Sequence, residues 1–197
     1  MYQMVARLRD DAALLDWIAK MRGWKPETLR QLALELYLGL GRRKEGYRFY
    51  LRYWPQAPVA GEGRARYPLA FGKPWLWRGA YLTFAQTVYV TEGETDAIAL
   101  IDAGIETDPG TIAVAIPSAS TFNEEWVQLF RSKDVVLAFD ADDAGQGATL
   151  KVSKLLLPFV RSLKANQMGG TTTCLLVPPK TSAIFIKVSG ARTWFER

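Results

Sequence analysis

Two segments, TVYVTEGETDAIAL (87–100) and VVLAFDADDAGQGA (135–148), decide the fold of this chain. Each begins with five residues of apolar, aromatic or β-branched type, which is typical of a strand buried on both faces. Each then passes through an acidic, glycine-containing turn into a stretch of helical periodicity. Strands that alternate with helices predict a parallel sheet with helices on both faces, so we predict an α/β fold here.

The remainder of the second half repeats this alternation. We predict strands at 111–117 and 172–178, a helix over 123–130 capped by Asn123, and a long helix over about 144–165. Pro158 is expected to kink or end that last helix, because proline cannot donate a backbone hydrogen bond.

The first half has a different pattern. Apolar residues at helical spacing predict a helix over 10–22, and a second helix that begins at Pro26 and ends at Gly39 and Gly41. Alternating aromatic and apolar residues over 47–53 then predict a strand. We therefore divide the chain into a small α+β subdomain at 1–86 and an α/β domain at 87–197.

Composition excludes several kinds of site. The 197 residues include no histidine and a single cysteine, so we expect no Ser-His or Cys-His nucleophile and no zinc site. No apolar stretch approaches the roughly 20 residues that a membrane span needs, and the first ten residues lack an apolar signal region. We expect a cytoplasmic protein that does not contact a membrane.

Charge is divided unevenly between the two halves. Residues 1–86 carry 15 Lys and Arg against 7 Asp and Glu, whereas residues 87–197 carry 10 against 13. A basic piece joined to an acidic piece predicts a polyanionic partner for the first half and a carboxylate site in the second. A merely solvated basic surface is the alternative.

Four carboxylates follow the predicted strands at 87–91 and 135–139. Glu92, Asp140 and Asp142 come directly after the strands, and Asp96 lies one helical turn beyond Glu92. Ligands of open parallel sheets bind beyond the carboxyl ends of the strands. Converging carboxylates need a counter-charge, and Mg²⁺, or Mn²⁺ in its place, accepts oxygen ligands where phosphates also bind.

Helix capping is the alternative role for acidic residues at these positions. We assign that role to Glu94 and Asp143, and the metal-binding role to Glu92, Asp96, Asp140 and Asp142.

The segments VTEGETDAIAL and LAFDADDAGQGA resemble the glutamate and Asp-x-Asp motifs of the Toprim domain, which primases, topoisomerases and small nucleases share. The resemblance covers about 87–178 and implies a Rossmann-like parallel sheet. Within this group the chain is similar to bacterial DnaG-type primases of phages and mobile elements. The resemblance implies metal-dependent nucleotidyl transfer, in which Glu92, Asp140 and Asp142 are catalytic.

The upstream half resembles the basic subdomain that holds single-stranded DNA template in primases. The resemblance implies RNA primer synthesis from nucleoside triphosphates, with a helicase or another replication protein as a further partner. The expected nucleic-acid contacts are Arg42, Arg43, Lys44, Arg48, Arg52 and Lys73.

Two other functions stay open at this point. A Toprim nuclease would cut phosphodiesters with the same carboxylates. A non-catalytic DNA-binding protein is the other alternative, because the stretch PPKTSA (178–183) has no carboxylate where primases usually carry a third acidic pair.

Overall fold

The structure is a computed structural model. It describes the backbone of residues 2–43, 46–51, 75–118, 121–168, 183–188 and 191–196, and the side chains of residues 5–41, 75–118 and 121–166.

The described part of the chain contains α-helices and β-strands in the following order: α1 (Tyr2–Asp10), α2 (Ala12–Arg22), α3 (Pro26–Leu34), β1 (Leu38–Arg43), β2 (Gly46–Leu51), β3 (Thr87–Thr91), α4 (Glu94–Asp102), β4 (Thr111–Ala115), β5 (Asp134–Asp140), α5 (Asp143–Leu156), β6 (Ser162–Met168), β7 (Ala183–Val188) and β8 (Ala191–Glu196). Short 3-10 helices cover Gly79–Thr83, Ile105–Thr107 and Glu124–Phe130.

The central sheet is parallel throughout and has the strand order β4-β3-β5-β6. Thr87 of β3 pairs with Thr111 of β4 and with Asp134 of β5. The predicted strands at 87–91, 111–117 and 135–139 are confirmed, and the predicted α/β class is confirmed with them. Two antiparallel hairpins, β1-β2 and β7-β8, lie outside this sheet.

Several predicted boundaries are wrong. The helix expected over about 144–165 ends at Leu156, and residues 162–168 form β6, the fourth strand of the sheet. The helix that begins at Pro26 ends at Leu34, and the glycines expected to terminate it lie within β1. The predicted strand at 172–178 lies outside the described residues.

Two further elements differ from expectation. Helix α1 (Tyr2–Asp10) was not predicted. Residues 124–130 form a 3-10 helix, and Asn123 caps it as expected by accepting a hydrogen bond from the Glu125 N–H at 2.9 Å.

Each face of the sheet is covered by its own core. On one face, Val88, Val90 and Leu137 pack with α5 and the 124–130 helix. On the other face, Ala113 and Ala115 pack with α4 and with the N-terminal helices α1 to α3. The small alanines on this second face allow the helices to approach the sheet closely.

The N-terminal helices therefore cover the same face of the sheet as α4. Lys25 also ties α3 to the end of α4, since its backbone N–H donates to the Asp102 carboxylate at 2.7 Å. The domain boundary between 86 and 87 stays a prediction. Among the residues that the structure describes, no helix is long and apolar enough to cross a membrane.

Asp134, at the amino end of β5, makes an exposed ion pair that predicts a pH-dependent contribution to stability. Arg161 donates to its carboxylate from Nε at 2.9 Å and also from Nη2, and the Ser162 hydroxyl donates at 2.6 Å. The Arg161 hydrogen bond outweighs partial burial and lowers the pKa of Asp134 to about 2.

We expect Asp134→Asn to lower the melting temperature at pH 7 by about 2 °C, because an exposed pair contributes little. A lowered folded-state pKa stabilises the fold above the unfolded value near 4 and loses this contribution as the pH falls toward 2. The difference between D134N and wild type should therefore shrink between pH 4 and pH 2 in thermal melts. A difference that stays constant across this range would contradict the lowered pKa of Asp134.

Candidate metal-dependent site

The candidate site lies where the sheet connections diverge. The chain leaves β3 toward β4 on one side and leaves β5 toward β6 on the other, so β3 and β5 flank the topological switch point. The helices that follow these two strands pack on opposite faces, α4 in one core and α5 in the other. Parallel sheets bind ligands in the crevice that such a divergence opens.

The Glu92 side chain contacts the end of β5 just beyond the last backbone pair of β3. The last backbone pair between β3 and β5 is Thr91 with Ala138. Beyond this pair, the Asp140 N–H donates to Oε1 of Glu92 at 3.3 Å. The Glu92 carboxylate therefore lies beside the end of β5, as the strand-end pattern predicted.

Asp142 begins α5 as its N-cap. Its Oδ1 accepts a hydrogen bond from the Gly145 N–H at 2.8 Å. Asp140 and Asp142 are both exposed at the mouth of the crevice. The tight turn between β5 and α5 thus presents two carboxylates within three residues.

Asp96 lies on the first turn of α4, on the other side of the switch point from α5. It is half-buried, and a hydrogen bond from the Gly93 backbone partly stabilises its charged form. The spacing of one helical turn between Glu92 and Asp96 therefore does direct both side chains toward the same crevice.

The four carboxylates lie close enough for their charges to interact. Burial raises the pKa of Glu92, and the charges of Asp140, Asp142 and Asp96 raise it further, whereas the Asp140 N–H lowers it. Burial and the Asp140 charge likewise raise the pKa of Asp96. The structure thus places the other three predicted ligands within electrostatic range of Glu92, and their role in metal binding stays a prediction.

Glu94 is the acidic residue whose environment the sequence did not predict. It was expected to be a helix first-turn residue, and it does lie in the first turn of α4, but its side chain is half-buried. Burial raises the pKa of Glu94 to about 7, and the charge of Asp96 adds to the shift. Its position along the sequence carries no signal of this burial.

The candidate ligands suit a hard divalent cation in their atom type, but they are too few to hold it without other ligands. The candidate ligands are all carboxylate oxygens, the type that Mg²⁺ prefers. Within the described residues, however, no three Asp, Glu, His or Cys side chains form a group that could hold a metal ion by themselves. Mg²⁺ at phosphate-handling sites commonly takes one or two carboxylates, with waters and substrate phosphates completing its shell. The residues present fit that mode.

The predicted nucleic-acid contacts are not placed by the structure. Arg42, Arg43 and Arg48 lie on the β1-β2 hairpin, where Arg42 pairs with Tyr47 and Gly41 with Arg48, but their side chains lie outside the described residues. Lys44, Arg52 and Lys73 lie wholly outside the described residues.

Gly145 is a site residue whose importance appears only in the structure. A Cβ at this position would overlap the Asp140 carbonyl oxygen and would lie 2.7 Å from Glu92 Oε1. A Cβ at Gly147, half a turn further along the same helix, would meet no atom within 4 Å. The first glycine is therefore required by packing, and the second is not.

We expect Gly145→Ala to lower the free energy of unfolding by about 3 kcal/mol, the upper end of overpacking costs, because the obstacle is backbone. Gly147→Ala should instead raise it by about 0.5–1 kcal/mol, since alanine is the better helix former. Urea unfolding of both variants measures the contrast. Equal effects of the two alanines would contradict the close approach of α5 to Asp140.

Comparisons with known proteins agree with this fold. Residues 89–167 match the family model described as Toprim-like. Over 96 residues the chain is 32% identical to a DNA primase of Borreliella burgdorferi, an alignment that covers 45% of this chain and 17% of the primase. The matched part of the chain thus spans about one sixth of the length of that relative.

Two solved structures share the fold. The primase fragment of the bacteriophage T7 primase-helicase protein superposes with a TM-score of 0.51 at 16% identity, over 78% of this chain and 65% of that one. The zinc-binding and RNA polymerase domains of Aquifex aeolicus primase superpose with a TM-score of 0.54 at 18% identity, over 85% and 54%.

The family match runs from within β3 to within β6, and therefore contains the switch point and all four carboxylates. Residues 89–167 of this chain are therefore similar to Toprim-like domains, and the chain is similar to DNA primases in sequence and in fold.

Proposed function

We propose that this chain catalyses metal-dependent nucleotidyl transfer on a nucleic-acid template, in the manner of a DNA primase that makes RNA primers on single-stranded DNA. The observation that carries the proposal is the placement of Glu92 against the Asp140 backbone at the switch point of a primase-like sheet. This placement gathers carboxylates from two separate segments where a parallel sheet binds its ligand.

Each carboxylate then has a proposed role. Asp140 and Asp142 would hold Mg²⁺ or Mn²⁺, with Asp96 as a further ligand. Glu92 would accept the proton of the attacking 3′ hydroxyl or share in holding the cation. Its raised pKa, caused by burial and then by the neighbouring Asp140 charge, suits a group that exchanges a proton. The bound cation would stabilise the negative charge that develops on the attacking and leaving oxygens.

The basic first half supplies the proposed template contact. Residues 1–86 have a net charge of +8, and Arg42, Arg43, Lys44, Arg48, Arg52 and Lys73 are the residues proposed to contact phosphate. Single-stranded DNA and nucleoside triphosphates are the proposed ligands, and the cytoplasm is the proposed compartment. The T7 relative is part of a primase-helicase protein, which supports a helicase as a further partner of this chain.

The test is incubation of the purified chain with unlabelled single-stranded DNA, four ribonucleotides of which one is radiolabelled, and Mg²⁺ or Mn²⁺. A parallel reaction contains end-labelled DNA without nucleotides. Labelled oligoribonucleotides that require both template and cation support the proposal. Shortened DNA in the second reaction would instead assign the chain to the nucleases, and binding of DNA with neither product would assign it to the non-catalytic proteins.

A further inference from the structure

Thr91, the last residue of β3, has a fully buried side chain at 0% exposure. Its hydroxyl donates a hydrogen bond to the Gly93 carbonyl oxygen at 2.8 Å and lies 3.4 Å from the Val114 carbonyl oxygen. A buried hydroxyl needs a hydrogen-bond partner, and the Gly93 carbonyl is the nearer of the two acceptors that Thr91 reaches.

The hydrogen bond from Thr91 to Gly93 closes a turn around the residue between them, Glu92. The two ends of this turn are held in addition by backbone contacts. The Thr91 carbonyl accepts from the Ile116 N–H at 2.9 Å, and the Gly93 carbonyl accepts from the Ala97 N–H at 3.2 Å. The hydroxyl is thus the side-chain contact that ties the turn to the end of the strand.

We propose that Thr91 is a positioning residue, whose buried hydroxyl fixes the turn that places the Glu92 carboxylate against the Asp140 N–H. This inference rests on the proposed function for its catalytic meaning, because Glu92 is the carboxylate next to which transfer would occur. The geometric part concerns only contacts within the chain. The two parts can therefore be tested separately.

Thr91→Val removes the hydroxyl and keeps the shape of the side chain. The Gly93 carbonyl keeps its hydrogen bond from Ala97 in this variant, so no buried acceptor loses its last partner and the melting temperature should change little. Hydrogen exchange of the Asp140 amide, followed by NMR at one fixed pH, reports the contact with Glu92. We expect exchange at least tenfold faster in T91V and wild-type exchange in Thr91→Ser, which restores the hydroxyl.

Activity provides the second readout. T91V should lower kcat about tenfold and leave KM for the nucleotide unchanged, because the cation and phosphate contacts do not involve Thr91. T91S should restore kcat. Thr87→Val, which alters the same strand and the same face at its opposite end, is the matched control and should change neither exchange nor kcat.

Each result decides a different point. Wild-type exchange at Asp140 in T91V would overturn the positioning role. Faster exchange throughout β3, with a lower melting temperature and no rescue by serine, would also overturn it, because that pattern reports general loosening. If the wild-type chain shows no transfer, the proposed function fails, while faster Asp140 exchange in T91V would still establish the geometric role of the hydroxyl.

Discussion

Replacing Asp140 with asparagine should reduce template-directed nucleotide transfer by about 10²–10³-fold, the cost of removing one group that stabilises charge in a transition state. Asp140 is exposed at the crevice, and its backbone N–H holds Glu92. Asparagine preserves the backbone and the side-chain shape, so the loss isolates the negative charge. Initial rates of labelled-nucleotide incorporation measure the effect.

The same substitution should make the metal-free protein slightly more stable. After burial, the Asp140 charge is the next cause that raises the pKa of both Glu92 and Asp96. A carboxyl group whose pKa is raised in the folded state lowers the stability of the protein as the pH rises from its unfolded pKa through its folded pKa. Without the Asp140 charge this loss is smaller, so D140N should melt at or above the wild-type temperature at pH 7 in EDTA.

Asp143→Asn is the matched control for this experiment. Asp143 is exposed and close in sequence, and it lies in the first turn of α5, where a negative charge favours the helix dipole. D143N should keep wild-type incorporation and melt slightly lower. A D140N protein that retains incorporation within threefold of wild type would remove the metal-binding role assigned to Asp140.

Arg78→Ala should lower the free energy of unfolding by about 3–5 kcal/mol, the range found when one partner of a buried ion pair is removed. The Arg78 side chain is 4% exposed. Its guanidinium donates to both carboxylate oxygens of Glu106 and to the Ala113 carbonyl at 3.2 Å, and Glu35 lies 3.7 Å away. Alanine would leave two glutamates in a partly buried environment without their cation.

Aromatic rings add to the cost of this substitution. The Arg78 guanidinium carbon lies 4.7 Å from the ring centroid of Tyr81 and 5.9 Å from those of Tyr37 and Trp77. Cation–π contacts that are shielded from water stabilise a fold by up to about 2 kcal/mol. Arg78 therefore joins the N-terminal helices, the 79–83 helix and β4, and its loss should loosen the whole second core.

Urea unfolding of R78A measures this effect, with Arg131→Ala as the control. Arg131 is exposed and contacts Gln128 and the ring of Phe159, so R131A should cost less than about 1 kcal/mol. The double variant R78A/E106Q should be less destabilised than the sum of the single changes, since both remove the same ion pair. If R78A lowers the free energy of unfolding by less than about 1 kcal/mol, the ion pair between Arg78 and Glu106 is not effectively buried.

The sequence predicted three strands of the central sheet and the position of carboxylates at the strand ends, because both follow from local rules. A buried parallel strand reads as an unbroken apolar run, and strand ends in a parallel sheet share one edge. Glu92, Asp140 and Asp142 could be placed from these two rules alone. No knowledge of side-chain packing was needed.

The elements that were predicted wrongly depend on contacts between distant residues. Residues 162–168, SLKANQM, bury only Leu163 and Ala165 fully among the side chains described, so the segment reads as the polar continuation of α5. Gly39 and Gly41 resemble helix terminators, yet β1 incorporates both because its partner β2 supplies the hydrogen bonds. At both places, contacts with distant residues override the local secondary-structure propensity.

The roles of Thr91, Gly145 and Arg78 could not be predicted for a related reason. Each depends on an atom that a different segment brings close, such as the Asp140 carbonyl for Gly145 and the Glu106 carboxylate for Arg78. A single sequence gives residue types and spacings but no such distances.

The contact between Glu92 and Asp140 has a consequence for how the two segments can move. Glu92 follows β3 and Asp140 ends β5, and these two strands are hydrogen-bonded neighbours up to the pair of Thr91 with Ala138. Sliding β3 along β5 by one residue would break every pair of this ladder at once. The backbones that carry the two carboxylates therefore keep their spacing as long as the sheet stays paired, and only their side chains can rearrange independently.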